Sequence, residues 1–257
     1  MFEKTLPKEE DWTRNTLRRL LPGIAFSFVE SFRFRFLSGL SVCRYSLCKY
    51  TWKIIYIYML GYHVDIGHME TMKLIASKSK KAPEIYQEKR TGYTAAQTLF
   101  NEKHELLTML TQPVKNDLMK HTPEHIQALA MTLVANVGSR TMADTLWKDV
   151  ADLLTHGASR STIRKKACLC MLRMVRKSPE NIEVETIAPR IIAMIADQDF
   201  GVALCATTLM IGLVSLGQNA VFNEAVPTTI RVLYKLVTKD TTSHGDYKYE
   251  NTLCPWL

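Results

Sequence analysis

From residue 50 onward, apolar and polar positions follow the period of an α-helix. Apolar residues recur at spacings of three and four at Trp52, Ile55, Tyr56, Met59 and Leu60. This spacing predicts a helix that buries these residues as one stripe. Gly61 follows directly and is suited to the left-handed conformation that ends many helices. A second helix is predicted from His68 to about Ser77, followed by a polar connection over residues 78–83.

Four later segments share an apolar helical pattern with a small residue at the centre. They span residues 91–100, 126–134, 163–171 and 202–210, and their central residues are Ala95, Ala130, Ala167 and Ala206. The centres recur every 35 to 39 residues, a period typical of stacked helix pairs of the HEAT or armadillo kind. A small residue lets paired helices approach closely where they cross. The pattern therefore predicts an all-α fold, a right-handed α-solenoid of HEAT/armadillo-like helix pairs.

The segments between these repeats supply the alternate helices and their starts. Residues 184–196 and 228–237 carry apolar residues at helical spacing. Thr122 followed by Pro123 predicts a helix start, with Thr122 as the N-cap and Pro123 at the first helical position. Proline is tolerated there because a backbone N–H at that position has no partner within the helix. The acidic run from Asp197 to Asp199 predicts another helix start before Val202.

Residues 1–48 have no clean period. Phenylalanine and arginine alternate over residues 32–36, and this alternation is consistent with a short amphipathic strand. The apolar stretch 20–42 contains Glu30, Arg33 and Arg35, and charges there disfavour a membrane span. It also starts too far from Met1 for a secretory signal. We therefore divide the chain into a divergent segment, 1–48, and a helical-repeat region, 49–257, and expect a cytosolic protein that is at most peripheral to a membrane.

Composition narrows the class of protein. The chain has 257 residues, 47% of them hydrophobic, and its 33 basic against 25 acidic side chains give a formal charge of +8. This balance indicates a globular protein with an extensive core. The six cysteines form no regular framework, which favours a reducing compartment.

The residues offer little catalytic chemistry. Residues 121–125 spell H-x-x-E-H, a zinc-peptidase pattern, but Pro123 stands where a helix begins and leaves His121 outside it. A metal site at the 63–68 loop is the less favoured alternative to a plain helix connection. Cys168 and Cys170 project about 200° apart on a helix and are interpreted as core residues. The chain has no phosphate-binding glycine loop or nucleophile elbow. We predict no enzyme activity, no cofactor and no metal.

Basic clusters are the remaining chemical feature. Seven basic residues and no acidic one lie between positions 160 and 177, and we take Arg160, Arg164, Lys165 and Lys166 as candidates for a basic surface. Lys49 and Lys53 stand one turn apart around Tyr50. Such faces bind phosphate groups of lipids or nucleic acids, or are simply solvated. No groove-reading helix or base-stacking platform is present, so we predict no nucleic-acid partner.

Several stretches carry a family resemblance. Eight segments resemble the adaptin large-subunit trunk, and they occur in that family's order. They are 49–62, 65–70, K-N-D-L at 115–118, A-N-V-G-S-R at 135–140, I-R-K-K-A-C-L-C at 163–170, D-F-G-V at 199–202, D-Y-K-Y at 246–249 and P-W-L at 255–257. The D-I-G-H-M-E, N-V-G-S-R and D-Y-x-Y…P-W-L stretches look like the alpha class. Gly61-Tyr62 and the K-L-I-A-S run at 73–77 also look like the gamma class.

The resemblance implies a non-enzymatic scaffold. Alpha adaptins assemble with a beta-type large subunit, a medium subunit and a small subunit. They dock on phosphoinositide-containing plasma membrane and act in clathrin-coated pits, where their contact with the clathrin coat is indirect. Lys49, Tyr50 and Lys53 match the family's lipid-headgroup positions, whereas Leu47 and Cys48 replace two lysines. Each lost base removes about 1 kcal/mol of attraction to an anionic surface.

Three alternatives and two departures accompany the resemblance. The alternatives are a gamma-type adaptin at Golgi or endosomal membranes, a free-standing HEAT-type transport receptor, and a nucleic-acid-binding scaffold. Residues 1–48 do not match the family's first helices, and family trunks continue well beyond Leu257. We therefore expect a partial adaptin trunk, truncated at the C-terminus.

Overall fold

The computed structural model describes residues 44–237 apart from 63, 65, 78–81, 157–159 and 219, with the backbone alone at 44, 82 and 235–237. Within this range the chain forms ten α-helices and one 3₁₀ turn. The helices are α1 (Arg44–Met59), α2 (His68–Ile75), α3 (Ala82–Leu99), α4 (Leu106–Leu118), α5 (Glu124–Val137), α6 (Arg140–Thr155), α7 (Ser161–Lys177), α8 (Val184–Ile195), α9 (Phe200–Ser215) and α10 (Ala225–Val237), with the 3₁₀ turn at Ala220–Phe222.

The helices form two layers. Helices α1, α3, α5, α7 and α9 pack side by side in chain order, and α2, α4, α6, α8 and α10 do the same in the second layer. Each even-numbered helix from α2 to α8 also packs against the helix that follows it. One continuous apolar core runs between the layers, and a smaller cluster joins α1 to α3. This arrangement confirms the predicted all-α solenoid.

The small residues at the repeat centres lie where the prediction placed them. Ala95, Ala130, Ala167 and Ala206 are all 0% exposed. They lie on α3, α5, α7 and α9, which form one layer. A methyl side chain at each centre allows neighbouring helices to approach closely, and buried interiors leave no room for a larger group.

Two helix starts show why capping predictions differ in success. The Asp199 carboxylate accepts a hydrogen bond from the Gly201 N–H at 2.9 Å, which confirms the predicted start of α9. The start of α5 is predicted one residue too early. Pro123 is the N-cap and the helix begins at Glu124, while the Thr122 hydroxyl donates instead to the carbonyl of Asn116 at 3.2 Å.

Two helices were missed by periodicity. Helix α4 carries Pro113 in its interior, and proline normally ends a helix because it lacks an N–H donor. Helix α6 begins at the Ser139 cap, whose hydroxyl accepts from the Met142 N–H at 3.3 Å.

Within the described range no helix is long and apolar enough to span a bilayer. The predicted alternation at 32–36 and the apolar stretch 20–42 lie outside the described residues.

Candidate functional site

Helix α1 is held in place through one face. Cys48, Thr51, Ile54 and Ile55 are all buried, and this side of the helix packs on α3. The Thr51 hydroxyl donates to the Leu47 carbonyl at 2.9 Å, which satisfies it within the helix. Burial raises the pKa of the Cys48 thiol, so this cysteine remains a neutral packing residue. The opposite face of α1 is left toward solvent.

The three predicted headgroup residues lie together on α1. Lys49 and Lys53 are exposed and Tyr50 is half-buried. The Lys53 ammonium lies 5.8 Å from the centroid of the Tyr50 ring, within the range of a cation–π contact. The ring itself packs on the cluster that joins α1 to α3. The structure therefore places the Lys53 ammonium near an anchored tyrosine, with Lys49 exposed on the same helix, and the sequence of α1 itself contains no acidic residue.

The predicted buried stripe on α1 is wrong in four of its five positions. Ile55 is buried, but Trp52 is 43% exposed, Tyr56 62%, Met59 74% and Leu60 42%. The reason is that α1 is apolar on nearly all sides, so its periodicity does not distinguish the face that packs. Contact with α3 selects the face of Ile54 and Ile55 instead. One edge of the Trp52 ring is held against α3, because the indole N–H donates to the Thr91 hydroxyl at 3.1 Å.

Three of the four basic candidates at the start of α7 contact acids from neighbouring repeats. Arg160 contacts Glu124 at 2.9 Å, Lys165 contacts Asp199 at 2.9 Å, and Arg164 pairs with Asp197. The hydrogen bond from Lys165 is the main cause that lowers the pKa of Asp199. These pairs link α7 to the start of α5 and to the start of α9. Their acids lie 33 to 36 residues away in sequence, so a local count of charge missed them.

Lys166 and the end of α7 behave differently. The Lys166 ammonium is exposed and donates to the Thr132 hydroxyl on α5 at 2.8 Å. Arg173 and Lys177 both contact Glu102, which precedes α4, and Lys177 is the main cause of the lowered pKa of that carboxyl. Five of the seven basic residues between positions 160 and 177 therefore contact an acid, but Glu102 serves two of them, so the positive charge of this segment is only partly balanced. Beside Arg173, an open hollow of about 340 Å³ lies between α5 and α7, lined by Ala135, Asn136, Leu169, Leu172, Arg173 and Arg176.

The catalytic patterns do not assemble into a site. His121 lies in the turn before α5, as predicted, and the His125 ring packs edge-on against Tyr86 at 4.7 Å. Cys168 and Cys170 are fully buried, and burial raises the pKa of each thiol to about 12. Of the histidine loop, positions 63 and 65 lie outside the described residues. Among the described residues no group of three His, Cys, Asp or Glu side chains is placed to hold a metal.

The described residues form a helical-repeat solenoid, in which α1, α7 and α10 carry basic residues and no acidic one. Comparison with known proteins gives the family. The chain belongs to the adaptin family, since the family model described as "Adaptin N terminal region" matches residues 38–257. The predicted boundary at 48/49 remains a prediction.

Individual relatives agree with this family. The chain is 38% identical over 213 residues to "AP-2 complex subunit alpha-1" of Arabidopsis thaliana, covering 83% of this chain and 20% of that protein. It is 34% identical over 214 residues to "AP-2 complex subunit alpha" of Schizosaccharomyces pombe, covering 83% and 23%. It is also 36% identical over 196 residues to "AP-1 complex subunit gamma-1" of Mycosarcoma maydis, covering 76% and 21%. The chain thus spans about a fifth of the length of these curated relatives.

Proposed function

We propose that this chain is the N-terminal part of an alpha-type large subunit of a clathrin adaptor. It acts as a scaffold in endocytosis and vesicle-mediated protein transport, and it carries no enzyme activity and no cofactor. The observation that carries the proposal is the 34–38% identity to AP-2 alpha subunits of Arabidopsis thaliana and Schizosaccharomyces pombe over 83% of the chain. A solenoid of stacked helix pairs suits this role, because it offers long surfaces for subunit contact.

The proposed partners follow from the same relatives. Their names describe subunits of a complex, and we infer assembly of this chain with a beta-type large subunit, a medium subunit and a small subunit. The proposed location is the cytosolic face of the plasma membrane at clathrin-coated pits, with contact to clathrin through other subunits. The basic candidates Arg160, Arg164, Lys165 and Lys166 are proposed to link neighbouring repeats of the solenoid, and Arg160 and Lys166 are the two that are exposed to solvent.

Membrane recruitment is assigned to α1. Lys49, Tyr50 and Lys53 are proposed to bind a phosphoinositide headgroup, because two exposed lysines lie one turn apart on α1 and the Lys53 ammonium contacts the ring of the anchored tyrosine. Multivalent phosphates attract lysine strongly at an anionic surface, by about 1 kcal/mol for each residue. The departure at Leu47 and Cys48 makes this a weaker site than one with lysines at those two positions as well.

Vesicle binding tests the headgroup assignment. The variant Lys49→Glu/Lys53→Glu is expected to bind phosphoinositide vesicles at least about tenfold more weakly than the parent chain at 0.15 M salt. The control is Lys120→Glu/Lys148→Glu, which makes the same change in net charge at two exposed lysines on other elements. Equal losses in both variants, or no loss in either, would contradict a site on α1.

A gamma-type adaptin is the second candidate, favoured by the 36% identity to the AP-1 gamma-1 subunit. Isolation of the endogenous protein with an antibody against residues 100–240, followed by intact-mass and partner identification, separates the candidates. Medium and small subunits of the AP-2 complex are the expected partners. Recovery of AP-1 subunits would favour gamma, and recovery of no adaptor subunit would overturn the scaffold assignment in favour of a free-standing helical-repeat protein.

A further inference from the structure

The exposed face of α1 carries a continuous row of large side chains. Tyr45 is 69% exposed, Trp52 43%, Tyr56 62% and Met59 74%, and Lys49 lies between the first two. At 100° per residue, these five positions fall within about 80° of the helix circumference and extend for about 21 Å. Exposed apolar residues are ordinary when scattered singly, but a contiguous row marks a contact surface.

The chemistry of the row indicates what contacts it. Tyrosine and tryptophan combine an apolar ring with a polar group, which suits the boundary between lipid headgroups and acyl chains. The row includes Lys49, Lys53 lies at its edge, and α1 contains no acidic residue. This combination of cations with amphipathic aromatics is typical of a helix that lies in the plane of an anionic bilayer surface. A protein partner's apolar surface would leave the Lys49 ammonium without compensation.

The way α1 is mounted suits such contact. Its buried face is fixed on α3 through Ile54 and Ile55, and the Trp52 indole N–H is held by Thr91 at 3.1 Å. The helix therefore presents its row without having to fold on arrival, and association does not have to offset the cost of ordering the helix.

We propose that α1 inserts this row, Tyr45, Trp52, Tyr56 and Met59, to interfacial depth in an anionic bilayer. The inference rests on the proposed recruitment of the chain to membrane and adds to it an apolar contact beneath the headgroups. Lys49 and Lys53 bind the phosphates, while the aromatic rings occupy the glycerol region. Binding then has a component that survives high salt, since only the electrostatic part is screened.

Depth-dependent fluorescence quenching tests the insertion. Tyr56→Trp places a reporter in the row, and Ile211→Trp on α9 places one at a comparably exposed control position, 54% against 62%. The vesicles contain phosphatidylcholine with or without a phosphoinositide, and lipids brominated at shallow acyl positions. We expect more quenching for Tyr56→Trp than for the parent chain, and none added for Ile211→Trp.

A second pair of variants measures affinity. Tyr56→Ser/Met59→Ser is expected to bind phosphoinositide vesicles about tenfold more weakly and to lose the residual binding at 0.5 M salt. Ile211→Ser/Ile230→Ser is the control, because both residues are exposed on other helices. Thermal unfolding of all four variants checks that the fold is intact, which the exposure of the altered side chains leads us to expect.

The outcomes separate the inference from the proposed recruitment. Insertion is overturned if vesicle binding depends on Lys49 and Lys53 but Tyr56→Trp shows no added quenching and Tyr56→Ser/Met59→Ser keeps its vesicle affinity. Headgroup docking by the two lysines would then stand, and the row would be a protein contact. Absence of binding to any anionic vesicle overturns both. Equal quenching of the Ile211→Trp control indicates non-specific adsorption and overturns insertion by α1.

Discussion

The Lys89 ammonium on α3 and the Asp117 carboxylate on α4 form a buried ion pair. The two residues are 28 positions apart, their nitrogen and oxygen atoms lie 2.6 and 2.7 Å from each other, and their side chains are 6% and 9% exposed. Lys89 also donates to the Ile75 carbonyl on α2 at 2.8 Å, and the Tyr93 hydroxyl donates to Asp117 at 2.7 Å. Three helices are thus connected through one polar cluster, which gives a structural reason for the aspartate of the K-N-D-L stretch.

Removing one charge of this pair should be costly. Asp117→Asn leaves Lys89 charged and buried, and we expect a loss of about 3–5 kcal/mol in the free energy of unfolding. The double variant Lys89→Met/Asp117→Asn removes both charges while the asparagine oxygen can still accept from Tyr93, so it should recover part of that loss. Chemical denaturation measures both values. A loss below about 1 kcal/mol for Asp117→Asn would show that the pair is hydrated.

Tyr93 should make the fold sensitive to alkali. Burial, and then the Asp117 charge, raise the pKa of this phenol well above its usual range. The folded state therefore keeps a proton that the unfolded state releases above about pH 10. Stability linked to Tyr93 is fully present below that pH and is lost as pH rises. Tyr93→Phe should show a shallower decline between pH 9 and 11, measured by denaturation at each pH, although its stability at pH 7 is lower.

Gly92 is required by the close approach of α2 and α3. A Cβ atom at this position would lie 2.9 Å from Ile75 Cγ1 and 3.0 Å from both the Ile75 nitrogen and the Leu74 Cβ. Backbone atoms cannot yield as a flexible side chain can, so Gly92→Ala should destabilise the chain by about 1–3 kcal/mol despite the better helix propensity of alanine. Gln87→Ala on the exposed side of α3 is the control and should stay within about 0.5 kcal/mol of the parent.

Asp199 should link stability to acid. The Lys165 hydrogen bond, followed by smaller contributions that include the Gly201 N–H, lowers the pKa of this carboxyl below its ordinary value. A depressed pKa contributes stability above the unfolded value near 3.9 that is lost as pH falls through the folded value. Asp199→Asn keeps the helix cap but loses the charge. It should be less stable than the parent at pH 6, and the difference should close near pH 2. A constant difference would assign the effect to packing.

Much of the architecture could be predicted from the chain alone, because it depends on local periodicity. The alanines at 95, 130, 167 and 206 identified the repeat, since a small residue recurs wherever stacked helices cross. The Asp199 cap is local as well, because its carboxylate accepts from the N–H of Gly201, only two residues further along the chain. Helix α4 escaped prediction because Pro113 interrupts a pattern that tertiary packing nevertheless keeps helical.

The charge balance of α7 could not be predicted from its own sequence. Arg160, Arg164 and Lys165 form a basic cluster along the chain, but each contacts an acid more than thirty residues away. Stacking the repeats brings these acids to α7, so the electrostatic surface is a property of the solenoid rather than of the segment. The same reasoning applies to Glu102, which reaches Arg173 across 71 residues.

The amino-acid sequence by itself determined that this protein is a helical-repeat chain of the adaptin kind, with its candidate lipid residues Lys49, Tyr50 and Lys53 on one opening helix. The tertiary structure decided which side of that helix faces outward. Because α1 is apolar nearly all round, its periodicity is compatible with more than one buried face. Packing of Ile54 and Ile55 against α3 selects one of them, and it leaves Trp52, Tyr56 and Met59 exposed beside the lysines.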